Sequence, residues 1–426
     1  MNMNIKKSNI ILSLILVLFL NQGLIKAITI QPVERSVGRL NISIDPRMEL
    51  LAAIHSLSNN DDLANRNLSY TKEILSYFEA FSSQESVKLT ENLRQQYGFG
   101  FDAPVAFMLH LSQPAELEEK VKFSDYILGR SGGDDNLEQY RKAIKQFAEV
   151  SNFEEFWNSK IPFYNQILDL TIENMGEIDL VETMENYFNE TQDIYCVIIT
   201  PAFQGGKGAF VAGADRKENF YATVPATNTI DGIPFLNEND LRFYIWHEYG
   251  HFFVNPLTEK YLERVMALDI LFEPIKEVMA RQAYGCWNST VNEHIIRAVE
   301  VRLWELHLGS QQANERLNME FGNRFIYIEP LVEKLKDFEK QRDENNITFA
   351  KFFPELLDVL DSLLKIEYWK QVNPNHFRGP IGNVLKEEKT VIIYPTQDLD
   401  IEALEIAQGY AFRIFEGFLK PKYLMI

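Results

Sequence analysis

Cysteine is almost absent from this chain: Cys196 and Cys286 are the only two in 426 residues. Two cysteines allow one bridge and no disulfide framework, so the core must come from apolar burial. Cys196 lies in the apolar run Tyr195–Ile199, where a buried free thiol is an equal expectation. Neither cysteine sits in a C-x-x-C spacing, so neither points to a cysteine-held metal. Basic residues are also scarce. Lys and Arg number 42 against 61 Asp and Glu, a formal charge of −19. That balance argues against nucleic acid and anionic membrane surfaces as partners. Beyond the N-terminus no apolar run is long enough to cross a bilayer. There is no internal repeat and no low-complexity segment.

The N-terminus has the layout of a secretory signal peptide. Lys6 and Lys7 precede an apolar run from Ile10 to Leu20, and Ala27 offers a small residue for cleavage. Residues 1–27 are therefore expected to be removed on export, to the periplasm or the exterior. They carry Lys6, Lys7 and Lys26 and no acid, so the mature chain is more acidic still. A hydrophobic content of 46% suits a packed core of two or three structural units.

Histidine is sparse as well, with 7 in all, yet two stand four residues apart in His247-Glu248-Tyr-Gly-His251. On a helix, residues at that spacing share a face. Two imidazoles can then reach one metal ion, and Glu248 can reach a water in the ion's open position as general base. Ile245, Tyr249, Gly250 and Phe252 around them are uncharged, as a buried metal-binding helix requires. Asn237, Asn239 and Asp240 can cap the helix before Leu241, and Asn255-Pro256 is its expected end.

The apolar periods divide the rest of the chain. Leu40–Ile44 reads as a strand. Met48–Leu57, Tyr70–Phe81, Leu137–Val150, Phe153–Trp157 and Pro162–Asn174 read as helices. The character changes near Asp193. Ile194–Thr200, Ala209–Ala212 and Asn219–Val224 read as strands, and the glycine-rich Gln204–Gly208 as a turn. Gly205–Val211 is the candidate sheet edge for a peptide added as an extra strand; an ordinary hairpin is the equal alternative. Tyr261–Ala283, Val291–His307, Leu331–Arg342 and Phe349–Leu364 are helical again. Thr390–Tyr394 reads as a late strand and Ile401–Phe418 as a closing helix. The expected fold class is α+β and mainly helical. Residues 28–190 form a helical N-terminal region, and 191–426 form a catalytic unit with a small sheet beside the HExxH helix.

A catalytic zinc usually takes a third protein ligand. A histidine six residues after the motif is excluded, because Leu257 is there. The best downstream segment is Val291–Glu300, where Glu293, Arg297 and Glu300 share one helical face. Glu293 leads as the ligand; His294 and Glu300 remain open, with Glu263 and Glu277 behind them. Without the upstream motif, that face reads as a solvated charge pattern. Arg297 could brace a carboxylate. Tyr284, His307, Tyr394 and Arg297 are the available oxyanion donors. His55, His110 and His376 read as structural or surface residues.

With these residues in place, the chain resembles the glutamate-ligand zincins (gluzincins) through His247-Glu248-x-x-His251 and the later Asn292-Glu293. More narrowly, it resembles a group of secreted bacterial proteins of unknown function. Pro46–Leu50, His247–Pro256 and Glu293–Ala298 carry that likeness, over roughly residues 35 to 420. The resemblance implies a zincin-like fold and a Zn2+-dependent peptidase with His247, His251 and Glu293 as ligands and Glu248 as base; it implies no particular substrate, and a peptide or protein is what the peptidase reading itself expects. The sequence departs from the better-known gluzincins in two ways: a longer gap from His251 to Glu293, and Arg297 where they carry an aspartate. The alternative is a zincin-scaffold binding protein for a protein or glycan partner. An intact Glu248 is of no use to such a protein. A structural export-pathway protein without metal is the third reading.

Overall fold

The computed structural model describes residues 30–59, 62–192, 194–212 and 218–370, with four strand segments between 376 and 425. The expected signal peptide and the closing helix Ile401–Phe418 lie outside the described residues. The fold is α+β, mainly helical with a small sheet. Among the described residues no helix is long and apolar enough to cross a membrane. The chain forms two compact units. One is built mainly on Ser43–Leu168 with Ile198–Gly205, the other on Ser36–Ile42, Asp169–Val197 and the chain from Gly206 onward.

The first unit is helical: α1 Pro46–Leu57, α2 Ser69–Phe78, α3 Glu85–Tyr97, α4 Ala103–Leu109, α5 Asp125–Ser131, α6 Asp134–Val150 and most of α7 Phe153–Glu173. Asp45 caps α1 by accepting from the Arg47 N–H, and Pro46 takes the first helical position. α1 is buried along almost its whole length and carries Glu49 and His55 inside. The Glu49 carboxylate accepts from the hydroxyls of Tyr70 and Tyr164. The phenylalanines and tyrosines of α2, α4, α6 and α7 pack in the core with aliphatic side chains such as Ile74, Leu93, Ile144 and Leu168.

The second unit holds most of a five-stranded sheet in the order β1-β2-β3-β5-β4. Its strands are β1 Val33–Val37, β2 Leu40–Ile44, β3 Tyr195–Ile199, β4 Lys207–Ala212 and β5 Glu218–Val224. β4 pairs antiparallel with β5, Gly208 opposite Ala222, and forms the edge of the sheet. The hairpin and edge-strand readings of this segment are therefore compatible. The helices are α8 Leu180–Phe188, α9 Glu238–Lys260, α10 Leu262–Met266, α11 Lys276–Arg281, α12 Trp287–Leu308, α13 Ser310–Gly322, α14 Ile328–Asn345 and α15 Phe349–Lys365. α15 buries Phe349, Phe352, Phe353, Leu356, Leu357, Leu360 and Leu363, an amphipathic spacing that sets one face on the core. α9 and α12 differ. Both are buried on several faces, and both carry charged residues inside.

Three helix expectations need correction, each around a proline. Phe153–Trp157 and Pro162–Asn174 form the single helix α7, with Pro162 inside. Burying Phe156, Trp157, Tyr164, Ile167 and Leu168 at about 1.5–3 kcal/mol each outweighs the roughly 3 kcal/mol a helical proline costs. Conversely, Tyr261–Ala283 does not form one helix. It breaks into α10, a 3-10 turn at Asp269–Leu271 and α11, with Pro274 in the break. Lastly, α9 does not end at Asn255-Pro256 but runs through Pro256 to Lys260. Beyond the proline, Leu257 and Thr258 are buried, and the Thr258 hydroxyl donates to Asn292 of α12. Tertiary packing thus holds the last turn, with consequences for the site.

Candidate metal centre

α9 begins at a capping box. The Asn237 side chain accepts from the Asp240 N–H at 3.0 Å, and Asp240 accepts from the Asn237 N–H at 3.2 Å. Asn239, the third cap candidate, lies inside the helix and accepts from Arg242. Aromatic contacts then seat α9 against the sheet. Tyr249 packs on Tyr195 of β3 and Phe220 of β5, with ring centres 4.9 and 5.4 Å apart. Phe252 meets Phe220 at 4.2 Å. Such pairs add to simple area burial. They bring Glu248 beneath the start of β4: a Cβ on Gly206 would stand 2.3 Å from Glu248 Oε1, and one on Gly208 3.0 Å from Oε2.

Elsewhere on α9, glycine again permits a close approach. A Cβ on Gly250 would lie 2.9 Å from Ile296 Cγ2 of α12. Without that Cβ the two helices close, and Glu293 of α12 reaches the histidines of α9. His247 Nε2 lies 3.6 Å from Glu293 Oε2, and His251 Nε2 lies 3.4 Å from Oε1. The three ligand atoms fall within 4.8 Å of one another. Bonds of about 2.0–2.1 Å around a tetrahedral ion place its ligand atoms roughly 3.3–3.4 Å apart. The two histidine-to-carboxylate separations are close to that length, each to a different oxygen of Glu293. The donor set fits zinc.

The remaining nitrogens are held from behind. His251 Nδ1 lies 3.1 Å from Asn255 Oδ1, one turn along α9. This contact needs Asn255 in helical position, which the continuation through Pro256 supplies. His247 Nδ1 lies 3.3 Å from Glu300 Oε1, a charge contact, and neither atom makes a hydrogen bond elsewhere or to the other. Both rings therefore turn Nε2 toward Glu293, the usual outer support of a metal-binding histidine. Arg297 donates to Glu293 Oε2 at 2.9 Å.

The electrostatics suit a cation. Burial pushes the Glu248 carboxyl up, against the pull of His247, His251 and Lys207. Burial would also raise Glu293, but His247, Arg297 and His251 hold it well below the usual carboxylate range. Burial alone would lower His251; its contact with Glu293 instead raises it to about 9. Of four buried carboxylates, Glu293, Glu300 and Glu320 pair with the guanidiniums of Arg297 and Arg316, and Glu248 feels the half-buried Lys207. With His251 protonated, the four carboxylates are balanced by Arg297, Arg316, Lys207 and His251, so a metal ion bound here would displace the His251 proton.

The rival ligands stand elsewhere. His294 is a core histidine. Its Nδ1 meets the Thr290 carbonyl oxygen at 2.7 Å, its ring packs on Phe325 and Tyr327, and burial lowers it to about 4. Glu300 supports His247 from behind and belongs to no three-ligand cluster among the described residues. Glu263 and Glu277 are exposed on α10 and α11. Glu293 and Glu300 are buried and Arg297 is half-buried, so this face is not solvated. Of the oxyanion candidates, Tyr284 and Arg297 stand beside Glu293, with the Tyr284 hydroxyl 3.3 Å from Arg297 Nη2. His307 lies at the far end of α12 against Trp246, and the Tyr394 side chain lies outside the described residues. Tyr244 was not foreseen. One turn before Glu248 and half-buried, it is raised to about 12 by burial and by the charges of Asp240 and Glu248. Its i−4 spacing from Glu248 was the available signal. Cys196 and Cys286 are both free thiols.

No curated protein and no solved structure matches this chain. A family match does exist. Residues 40–359 fit the family described as "Domain of unknown function (DUF4932)", a span that includes His247, Glu248, His251, Glu293, Glu300 and Glu320. By that match over most of its length, the chain belongs to the DUF4932 family.

Proposed function

We propose that the protein is an exported, zinc-dependent peptidase with a zincin-like catalytic unit. The observation that carries this reading is the convergence of His247, His251 and Glu293, whose ligand atoms lie within 4.8 Å of one another, with Glu248 adjacent. An edge strand, then a helix with both histidines, then a second helix with the glutamate is the order a zincin-like unit requires. When bound, zinc polarises a carbonyl and lowers the pKa of a water. The side chains supply the rest. His247, His251 and Glu293 hold the ion. Glu248 takes the proton of the attacking water on its carboxylate and passes it to the leaving amine. Its buried position pushes its pKa toward that of a working base. A peptide laid along β4 would add as an extra strand, with its carbonyl brought over Glu248. Tyr284, beside Glu293, and Tyr244, one turn before Glu248, offer hydroxyl donors for the developing oxyanion.

Glu248→Gln tests the reading. The variant should keep its zinc and lose turnover of a broad fluorogenic peptide mixture by about a hundredfold or more. Wild type that binds zinc yet cleaves nothing in the mixture would shift the protein to the binding role.

A further inference from the structure

Behind the ligand cluster, charged side chains from α12 and α13 close a ring. Arg297 donates through Nη2 to Glu293 Oε2 at 2.9 Å and through Nη1 to Glu320 Oε1 at 2.8 Å. Arg316 Nη2 lies 2.7 Å from the same Glu320 oxygen and 2.6 Å from Glu300 Oε2. Glu300 Oε1 faces His247 Nδ1 at 3.3 Å, and His247 Nε2 returns to Glu293 at 3.6 Å. Glu300 and Glu320 are 0% exposed. Aromatic faces confine both guanidiniums: Arg297 lies over Phe325 and Arg316 over Phe243, each at 4.4 Å.

Stability alone does not account for this ring. Apolar side chains of similar volume generally stabilise a core as well as or better than buried ion pairs. The geometry has another use. Arg297 applies two separate nitrogens to two carboxylates in one fixed plane, which a freely rotating ammonium does not reproduce. Glu300, held by Arg316, is placed to accept from Nδ1–H of His247, which leaves the Nε2 lone pair for a metal.

We infer that Glu320 is a positioning residue for metal ligation. Through Arg297 it fixes the Glu293 carboxylate, and through Arg316 and Glu300 it fixes the His247 ring. The inference rests on the proposed metal site. Glu320 touches no ligand, yet it acts on the cluster from two sides.

The test measures zinc dissociation constants by competition with a chromophoric chelator, alongside the His247 tautomer by ring nitrogen NMR. Glu320→Gln should weaken zinc binding about 10- to 100-fold, the usual cost of lost outer support, and should mix the His247 tautomers. Arg297→Lys keeps the charge but not the fixed plane, and should weaken zinc to a similar degree. A purely structural role predicts a lower melting temperature, zinc affinity within about twofold of wild type, and one tautomer. That result overturns the inference. Should Glu320→Gln fail to fold, Arg297→Lys decides alone, and unchanged affinity refutes the ring. Wild type that binds no zinc removes the proposed function and this inference together, whereas zinc-bound wild type with unaffected variants removes only the inference.

Discussion

Gly206→Ala is the most informative single change, because one methyl group tests the placement of the proposed base. Gly206 does not have a positive φ, unlike its neighbour Gly205 at +66°, so alanine is compatible with its backbone. The new Cβ would stand 2.3 Å from Glu248 Oε1, where ordinary contact begins at 3.4 Å. Relief requires a shift of about 1 Å, and the carboxylate end is the part most free to move. A misplacement of about 1 Å costs roughly 100-fold in rate, or about 2.7 kcal/mol of barrier. The ligands His247, His251 and Glu293 are not touched, so zinc should stay bound. Gly208→Ala is the graded control. Its Cβ would lie 3.0 Å from Glu248 Oε2 and 2.9 Å from Phe220 Cζ, so a few tenths of an ångström suffice. Its loss should be only a few-fold. The assay pairs turnover of a fluorogenic peptide mixture with zinc content. Full turnover in Gly206→Ala would refute the reasoning. So would loss of zinc, because the strand and not the carboxylate would then have moved.

Other outcomes follow from the same structure. Gly250→Ala places a Cβ 2.9 Å from Ile296 Cγ2. It should gain about 1 kcal/mol of helix propensity and lose about 1–3 kcal/mol to overpacking, with weaker zinc binding as α9 and α12 part. Denaturant melts and zinc titration check this, and a more stable variant with unchanged affinity would contradict it. In the first unit, burial raises Glu49 from 4.5 to about 7 despite hydrogen bonds from Tyr70 and Tyr164. A raised folded pKa means that the contribution to stability is fully present below pH 4.5 and is lost as pH climbs through about 7. The full swing is about 3 kcal/mol. Glu49→Gln should therefore gain about that much relative to wild type between acid and alkaline pH, read from paired urea melts. Parallel curves for the two proteins would contradict it.

The site was legible where chemistry is written at helical spacing. His247, Glu248 and His251 declared themselves at i and i+4, and the Val291–Glu300 pattern put Glu293 on the helix that brings it to the two histidines. The helices with one apolar face, such as α15, were readable for the same reason. The rest depended on contacts that local pattern does not carry. Pro256 marks a helix end locally, yet burial of Leu257 and Thr258 keeps α9 going and so keeps Asn255 beside His251. Arg297 stands where a carboxylate was looked for, and Glu300, one turn further on, supports His247 instead. Glu320 and Arg316 lie on a later helix, and nothing in their spacing ties them to the histidines. Gly206 and Gly208 read as a turn signal; their nearness to Glu248 follows from sheet pairing. α9 and α12 are buried on several faces, so an apolar stripe does not mark their inward side.

The proposed function requires one metal ion between α9 and α12. Zinc counted in the purified chain, after dialysis against a weak chelator, tests it most directly. About one zinc per chain is expected in wild type, with little in His247→Ala and Glu293→Ala and wild-type content in His294→Ala. A metal-free wild type, or a Glu293→Ala variant that keeps its full zinc, would contradict the account.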